Sequence, residues 1–305
     1  MRILIIGLGS IGKKHLAALK SVNPDSQLYA LRSNLKSEIV SGVKNMFSFD
    51  EVADVVFDFA IISNPTSEHK KTIARLVHYN IPLLIEKPIY SSLDIKDLIE
   101  EINQKGIFTY VACNLRFLDC LKFLKEKIFH MQGKKLNEVN VYCGSYLPDW
   151  RPNVDFKKSY SANVELGGGV HIDLIHELDY LYWLFGIPEE VIRKFKSQSS
   201  LSISSIDYAN FILDFDGFCA NIILNYYRRD SKRTLELVFN DETWEVDLLK
   251  NKVTSKGHII FSSDQNIDDT YLLQMKSFVN SVTRGIKSNN TVNDAYEVLK
   301  ICLGK

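Results

Sequence analysis

The sequence predicts an α/β protein with two domains: an N-terminal doubly wound parallel sheet, and a C-terminal α+β domain with a large, mainly antiparallel open sheet. Three observations carry this prediction. The chain has 305 residues, more than a single hydrophobic core usually holds. Apolar runs alternate with helical segments as far as Cys113. Beyond that point, strand-like segments follow one another directly.

The first predicted strand ends in a glycine-rich turn. Ile3-Leu4-Ile5-Ile6 is a continuous apolar run, typical of a strand covered on both faces. In the following G-x-G-x-x-G pattern the glycines permit a tight turn, approach of a pyrophosphate, and close packing of the next helix. Residues 13–20 supply that helix, whose N-terminus attracts phosphate. The pattern predicts a Rossmann domain that binds a dinucleotide through Gly7, Gly9, Ser10, Ile11 and Gly12, although a structural glycine turn is the alternative.

The end of the second strand indicates which dinucleotide is preferred. Residues 27–31 form this strand, and Arg32-Ser33 follows where an NAD site usually places an acidic side chain. A guanidinium and a hydroxyl can both donate to a 2′-phosphate, which a carboxylate would repel. We therefore expect NADP to be preferred over NAD. The alternative is that Arg32 is a solvated loop residue.

A lysine lies at the end of a later strand. Glu86-Lys87-Pro88 follows the apolar segment 81–85, and ligands of doubly wound sheets collect beyond the carboxyl ends of strands. Lys87 is therefore a candidate catalytic residue. The alternative is a surface ion pair before a proline that starts a helix.

The second half of the chain has a different pattern. We place the first domain at residues 1–115 and the second, for substrate binding and oligomerisation, at 116–305. Asp216-Gly217 and Asn240-Asp241 are typical hairpin connections. An apolar sheet face would remain uncovered, which favours a homodimer or homotetramer. Predicted strands are 138–144, 208–215, 218–227, 234–239 and 243–248, predicted helices are 118–129, 270–284 and 293–302, and the aromatic residues of the expected interface are Phe211, Phe215, Phe218 and Tyr226.

One predicted helix can carry an acid or base. Residues 170–186 follow three glycines and have helical spacing, with Asp173 and His176 three residues apart on the polar side. A carboxylate that orients an imidazole is a common arrangement for a general base, and the glycine run would leave room for a ligand. The alternative is a solvated polar face that contains a histidine.

Composition excludes several classes of protein. Thirty-seven basic residues balance 37 acidic ones, so no net field would gather nucleic acid or an anionic membrane. The five cysteines are scattered, which suits buried thiols in the cytoplasm better than disulfides or a metal site. No apolar run is long enough for a signal peptide or a membrane span. We expect a cytoplasmic protein with a small-molecule ligand and no metal.

Several of these motifs occur together in one known family. The glycine motif 7–12, Asn64-Pro65-Thr66 with His69, Glu86-Lys87-Pro88, Asn114-Leu115-Arg116-Phe117 and the segment 167–186 make the chain resemble the Gfo/Idh/MocA oxidoreductases. The resemblance implies hydride transfer between NAD(P) and a hydroxyl or keto carbon of a sugar, sugar acid or nucleotide sugar. The stretch 145–152 is similar to a bacterial branch linked to cell-surface sugar synthesis. A sensor that keeps the fold but lacks catalysis is the alternative.

The resemblance also implies roles for individual residues. Lys87 becomes the catalytic lysine and His176 the acid or base. Many members place an aspartate four residues before the histidine, whereas Asp173 precedes His176 by three. Three alternatives remain for the carboxylate partner of His176. Asp173 reaches His176 from a shifted turn, Glu177 or Asp179 replaces Asp173 as the partner, or His176 acts without a carboxylate. Implied cofactor contacts are Asn64, Pro65, Thr66, His69, Glu86 and Lys87.

Substrate contacts are predicted from side-chain chemistry. Guanidinium groups can hold a carboxylate or diphosphate, and aromatic faces can stack on a sugar or base. The candidates are Asn114, Arg116, Trp150, Arg151, Tyr160 and Asp179, with Tyr227, Arg228 and Arg229 as further members.

Overall fold

A computed structural model describes residues 1–130, 133–152 and 154–304. The chain divides into two compact units. Unit 1 contains Met1–Asn114 and Asp268–Leu299, and unit 2 contains Leu115–Ile267 and Lys300–Lys305. The first boundary lies one residue before the predicted one. We placed residues 268–299 in the second domain, whereas in the structure they pack with the first.

Unit 1 is built on a six-stranded parallel sheet with the order β3-β2-β1-β4-β5-β6. This order confirms the predicted doubly wound architecture. The central strands β1 and β4 are buried except for Arg2 at the start of β1, because helices cover both faces of such a sheet. The strands are β1 (Arg2–Ile6), β2 (Gln27–Leu31), β3 (Val43–Met46), β4 (Phe59–Ile62), β5 (Leu83–Glu86) and β6 (Thr109–Ala112); the helices include α1 (Ser10–Val22), α2 (Phe49–Ala53), α3 (His69–Leu76), α4 (Lys96–Gln104) and α8 (Ile267–Arg284).

The register of this sheet brings the predicted cofactor segments to one edge. Ile6 lies beside Leu31 on one side and Ile62 on the other, and Ile62 lies beside Ile85. The residues that follow these strands therefore leave the sheet at the same carboxyl edge. They are Gly7, Arg32, Ser63-Asn64 and, one residue after Glu86, Lys87.

Unit 2 is built on an eight-stranded sheet with the order β14-β13-β12-β11-β7-β10-β9-β8. All neighbouring strands are antiparallel except β7 and β10, which confirms the predicted sheet. The strands are β7 (Leu136–Tyr146), β8 (Glu190–Lys196), β9 (Tyr208–Phe215), β10 (Phe218–Asn225), β11 (Tyr227–Phe239), β12 (Thr243–Asp247), β13 (Lys252–Ser255) and β14 (His258–Ser262); the helices are α5 (Asp119–His130), α6 (Val170–Asp173) and α7 (His176–Phe185). The last helix, α9 (Val292–Leu303), belongs to unit 1 as far as Leu299 and to unit 2 from Lys300.

The expected uncovered aromatic face is not present. Phe211, Phe215 and Tyr226 are buried inside unit 2, and Phe218 packs between Phe215 and Phe185 of α7. The argument that these four residues need a second subunit was therefore wrong, because other residues of the same chain cover them: Phe185 of α7 packs on Phe215 and Phe218, Phe195 packs on Phe211, and Trp150 packs on Tyr226. Oligomer formation itself stays a prediction.

Among the helices of the described residues, none is long and apolar enough to cross a membrane.

Candidate active site

The glycine turn of unit 1 has the shape of a phosphate cradle. Gly7 has φ +86°, and a Cβ at Gly12 would lie 2.2 Å from the carbonyl oxygen of Gly7, so close packing requires both glycines. A Cβ at Gly9 would meet nothing within 4 Å. Helix α1 begins at the next residue, Ser10, and no side chain caps it. Open space and free helical N–H groups fit the pyrophosphate of a dinucleotide.

Arg32 lies beside this cradle and already has partners. Its Nη1 donates to the Glu38 carbonyl oxygen at 2.9 Å and to Asn45 Oδ1 at 3.2 Å. The Glu38 carboxylate pairs with Lys13 of α1 at 2.6 Å, which lowers the pKa of Glu38. Ser33, the other predicted 2′-phosphate contact, is exposed. The carboxylate of Glu38, whose backbone Arg32 contacts, is thus already bound by a lysine.

A buried histidine links two of the predicted cofactor segments. The Nε2 of His69 lies 3.0 Å from the Asn64 carbonyl oxygen, and its Nδ1 lies 3.1 Å from the carbonyl oxygen of Pro88. The ring is 1% exposed, and burial lowers its pKa because desolvation disfavours the charged form. Asn64 donates to Thr72 at 2.8 Å. His69 therefore fixes the loop that contains Pro65 and the buried Thr66 against the segment after Lys87.

Glu86 has a buried partner that sequence patterns missed. Its Oε1 lies 2.5 Å from Nε2 of His15 on α1, and its Oε2 accepts a hydrogen bond from the Lys87 N–H at 3.1 Å. His15 is fully buried and Glu86 is 7% exposed. Glu86 thus anchors the backbone of Lys87 to α1, which is a structural role in addition to the predicted cofactor contact. The signal was available, since His15 lies three residues after Gly12 on that helix.

Lys87 itself is half-buried at the carboxyl edge of the sheet. Asn114, at the end of unit 1, is buried and donates to Thr270 of α8 at 2.7 Å. This contact gives Asn114 a packing role, and a contact with substrate stays a prediction.

The predicted helix 170–186 is interrupted between Asp173 and His176. Helix α6 ends at Asp173 and α7 begins at His176, with Leu174 at φ −97°, ψ 31°. The assumption of one regular helix was therefore wrong, and an i, i+3 contact between the two side chains does not follow from helical geometry. Asp173 instead accepts a hydrogen bond from the Tyr226 hydroxyl at 2.5 Å. His176 is half-buried in the same unit.

The other two carboxylates considered as partners of His176 are bound to arginines. Both oxygens of Asp179 accept from Arg116, at 2.7 and 2.9 Å, and Oε1 of Glu177 accepts from Arg233 at 2.6 Å. Glu177 and Asp179 are 0% and 1% exposed. The polar side of α7 is therefore a set of buried ion pairs and not a solvated face. This geometry gives Arg116 and Asp179 a structural role and does not favour the predicted substrate contacts.

The remaining predicted substrate residues lie in one part of unit 2. Trp150 is 39% exposed, donates to Ser145 Oγ at 2.8 Å and packs edge-on against Tyr226 at 5.4 Å between ring centroids. Arg151 is exposed, and Tyr160 donates to the Gly167 carbonyl oxygen at 2.9 Å. Tyr226 thereby joins Trp150 to Asp173.

The glycine run before α6 was predicted to leave room for a ligand, but in the structure it allows other parts of the chain to pack closely against it. A Cβ at Gly168 would lie 2.0 Å from the Tyr160 carbonyl oxygen, and one at Gly169 would lie 2.7 Å from the His171 ring. The chain's own atoms fill the space expected for a ligand.

The cysteines agree only in part with the prediction of buried thiols, because four are buried and Cys219 is exposed.

Comparison with known proteins decides the family. The model of the oxidoreductase family with an NAD-binding Rossmann fold, Gfo/Idh/MocA, matches residues 1–112. The model of the Gfo/Idh/MocA C-terminal domain matches residues 131–246. The chain belongs to the Gfo/Idh/MocA family. It is therefore an oxidoreductase with an NAD-binding domain, as the motifs predicted, and the non-catalytic alternative has no support from these matches.

Relatives are similar over nearly the whole chain. Myo-inositol 2-dehydrogenase of Thermotoga maritima is 24% identical over 93% of this chain and 89% of its own. The scyllo-inositol 2-dehydrogenase (NAD(+)) of Bacillus subtilis is 21% identical, with 93% and 87% covered. Among solved structures, UDP-N-acetylglucosamine 3-dehydrogenase of Acidithiobacillus ferrooxidans has a TM-score of 0.79 at 18% identity, with 99% and 95% covered. Scyllo-inositol dehydrogenase of Lactobacillus casei with NAD(H) and scyllo-inositol has 0.81 at 20%, with 99% and 95% covered.

Proposed function

We propose that this oxidoreductase transfers a hydride between a nicotinamide dinucleotide and a hydroxyl or keto carbon of a sugar-like substrate. One observation carries the proposal: the glycine cradle follows β1 and Lys87 follows β5, and these two strands, with only β4 between them, end at the same carboxyl edge of the unit 1 sheet. A dinucleotide with its pyrophosphate on α1 has its reactive ring at that edge. The inositol and nucleotide-sugar dehydrogenases among the relatives support a polyol or sugar substrate.

The roles of the side chains follow from the chemistry of alcohol oxidation. When bound, the nicotinamide supplies the hydride acceptor. We propose that His176 takes the hydroxyl proton, because imidazole is suited to proton transfer near neutral pH. Lys87 stabilises the negative charge that develops on the same oxygen. Of the carboxylates considered for His176, Glu177 and Asp179 are paired with arginines, and Asp173 accepts a hydrogen bond from Tyr226.

The cofactor phosphate is a separate proposal. We propose that NADP binds more tightly than NAD, since Arg32 follows β2 and the nearby Glu38 is already paired with Lys13. Titration of the protein with NADPH and NADH, followed by cofactor fluorescence, tests this. Arg32→Gln should weaken NADPH binding more than NADH binding. Tighter binding of NADH by the unmodified protein would contradict the proposal.

Assembly and location complete the proposal. The outer face of the unit 2 sheet exposes Ile192 and Ile212, and burial of such residues would favour a homodimer or homotetramer. Light scattering measures the assembly, and a monomer at micromolar concentration would contradict it. A cytoplasmic location agrees with the absence of disulfides among the described cysteines.

The decisive experiment is a screen of cyclitols, sugars, sugar acids and nucleotide sugars for a change in NAD(P)H absorbance. With any active substrate, Lys87→Met should lower kcat by about 10²-fold to 10⁴-fold and change the cofactor Kd much less. Lys70→Met is a control, because Lys70 is also in unit 1 and pairs with Asp94. Wild-type turnover by Lys87→Met would contradict the role of Lys87, and no turnover in the whole panel would contradict the function.

A further inference from the structure

The main chain around Lys87 is held from both sides. On one side, Oε2 of Glu86 accepts from the Lys87 N–H at 3.1 Å, and Oε1 of the same carboxylate lies 2.5 Å from Nε2 of His15. On the other side, Nδ1 of His69 lies 3.1 Å from the carbonyl oxygen of Pro88. Both histidines are at most 1% exposed. Two buried imidazole rings therefore fix the segment that carries the lysine.

Each of these histidines belongs to a segment expected to bind the cofactor. His15 lies on α1, three residues after Gly12 of the glycine turn. His69 begins α3, and its Nε2 lies 3.0 Å from the carbonyl oxygen of Asn64. All of these residues belong to unit 1. Through one carboxylate, the lysine is thus joined to the helix whose N-terminus attracts the pyrophosphate.

The contact with Glu86 accounts for a polar ring at a buried position of α1. His15 shares the buried face of this helix with Leu16 and Leu19, where an apolar side chain is usual. Its Nδ1 has no hydrogen-bond partner among the described residues, and such burial costs stability. An ionised carboxylate can only accept, so the proton of a neutral ring is on Nε2 and faces Glu86. Within the described part of the chain, Glu86 is therefore the hydrogen-bond partner that offsets the burial of this imidazole.

Helix α8 supports the His15 ring. Tyr271 meets the ring edge-on, with 6.1 Å between the ring centroids. Nζ of Lys14 lies 4.8 Å from the centre of the Tyr271 ring and pairs with Asp268 at 2.8 Å. An aromatic contact and an ion pair thus limit the movement of the imidazole. Its Nε2 stays directed at the carboxylate of Glu86.

We propose that His15 is a positioning residue for Lys87, which acts through Glu86 and transmits occupation of the glycine turn to the lysine. The inference rests on the proposed function, because it needs Lys87 beside the nicotinamide. A phosphate that orders the start of α1 at Ser10 also fixes His15, about one and a half turns further along the same helix. A misplacement of about 1 Å in a reacting group can lower a rate by about 10²-fold. A residue that never touches substrate can therefore control kcat.

Competitive labelling of lysines with acetic anhydride, measured by mass spectrometry on the full chain, tests the inference without turnover. The labelling rate of Lys87 is divided by that of the exposed Lys105 in the same sample, with and without saturating NAD⁺. The variant is His15→Asn, whose amide is too short to reach Glu86. Its matched partner is His15→Gln, whose amide nitrogen can take the place of Nε2.

Two further variants separate the contact from a loss of stability. His15→Leu also lacks the donor but fills the buried position with an apolar side chain. Asn290→Leu removes a different buried hydrogen bond of unit 1 and is the control for destabilisation. Thermal unfolding verifies that all variants fold at the temperature of labelling.

We expect NAD⁺ to slow the labelling of Lys87 in the wild type, in His15→Gln and in Asn290→Leu. His15→Asn and His15→Leu should lose this protection, and with an active substrate their kcat should fall at least about tenfold with little change in KM.

Equal protection in His15→Asn and the wild type, or equal loss in His15→Gln or Asn290→Leu, overturns the inference and leaves the proposed function intact. No protection in the wild type contradicts the place of Lys87 beside the cofactor, so both proposals fail. A failed substrate screen contradicts the proposed function without affecting the labelling.

Discussion

The hydroxyl of Tyr226 donates a hydrogen bond to Asp173 Oδ2 at 2.5 Å, and the Tyr226 ring is fully buried. Burial, and after it the nearby Asp173 carboxylate, raises the pKa of Tyr226 well above its usual value, so the phenol stays protonated as a donor. This contact fixes the carboxylate at the end of α6, where the chain breaks before His176. The orientation of Asp173 thus depends on a residue more than fifty positions away in the sequence.

Replacing Tyr226 with Phe tests this contact. The loss of one hydrogen bond to a carboxylate should lower the free energy of unfolding by about 1–3 kcal/mol, measured by urea denaturation. If Asp173 assists His176, kcat should also fall while the cofactor Kd is unchanged. Tyr29→Phe is the control, since its hydroxyl makes only a 3.5 Å contact with Gln27 among the described hydrogen bonds. Equal stability of Tyr226→Phe and the wild type would contradict the prediction.

The two glycines of the cradle should respond differently to alanine. Gly9 has φ −72° and open space around its Cβ position, so Gly9→Ala should fold normally but weaken dinucleotide binding by about tenfold or more, because the methyl group occupies the phosphate approach. Gly12→Ala should lower stability, since its Cβ would lie 2.2 Å from a carbonyl oxygen. Thermal unfolding and cofactor titration separate these effects. An unchanged cofactor Kd in Gly9→Ala would contradict the role of this glycine turn in binding the pyrophosphate of the dinucleotide.

The Arg116–Asp179 pair allows a double-mutant cycle. Arg116→Met leaves a carboxylate buried and unpaired, which should cost about 3–5 kcal/mol of unfolding free energy. The double variant with Asp179→Leu should be more stable than Arg116→Met alone, because it removes the orphaned charge. Chemical denaturation of the four proteins gives the coupling. A double variant that is the least stable of the four would show that the pair does more than neutralise charge.

His171 makes stability depend on pH. Burial lowers the pKa of His171 to about 4 from an ordinary 6.5, so the unfolded chain binds its proton at a higher pH than the folded one. Its contribution is fully present above pH 6.5 and is lost as the pH falls toward 4, by about 3 kcal/mol in total. His171→Leu should flatten stability across this window in urea denaturation at several pH values. Identical pH profiles for the two proteins would refute this assignment.

Features that depend on a short local pattern of residues were predicted correctly from the sequence. The apolar run before Gly7, the glycine spacing and the lysine at the end of β5 identified the cofactor edge, because each is a pattern within a few residues. The Asp216-Gly217 turn between two segments rich in apolar and aromatic residues identified β9 and β10 in the same way. Strands β8, β13 and β14 were missed, since they are short or carry few buried side chains.

The partners of buried charges could not be predicted. Helical spacing placed Glu177 on a polar face, and Asp179 was considered only as a partner of His176, but their actual partners Arg233 and Arg116 lie 56 and 63 residues away in the chain. No local pattern marks such a pairing. The break at Leu174 and the buried pair of His15 and Glu86 were missed for the same reason, because both are consequences of packing between distant segments.

Unit 1 is formed by two segments that are far apart in the chain, so its parts are synthesised at different times. Phe278 of α8 packs on Phe59 of β4 at 5.0 Å between ring centroids, and Asn290 exchanges hydrogen bonds with the backbone of Val111 at the sheet edge. These late residues leave the ribosome after residues 115–267 of unit 2 have been synthesised. The nucleotide domain therefore begins first but cannot be completed until most of unit 2 has been made, and a fragment that stops at Asn114 would expose the core that Phe278 covers.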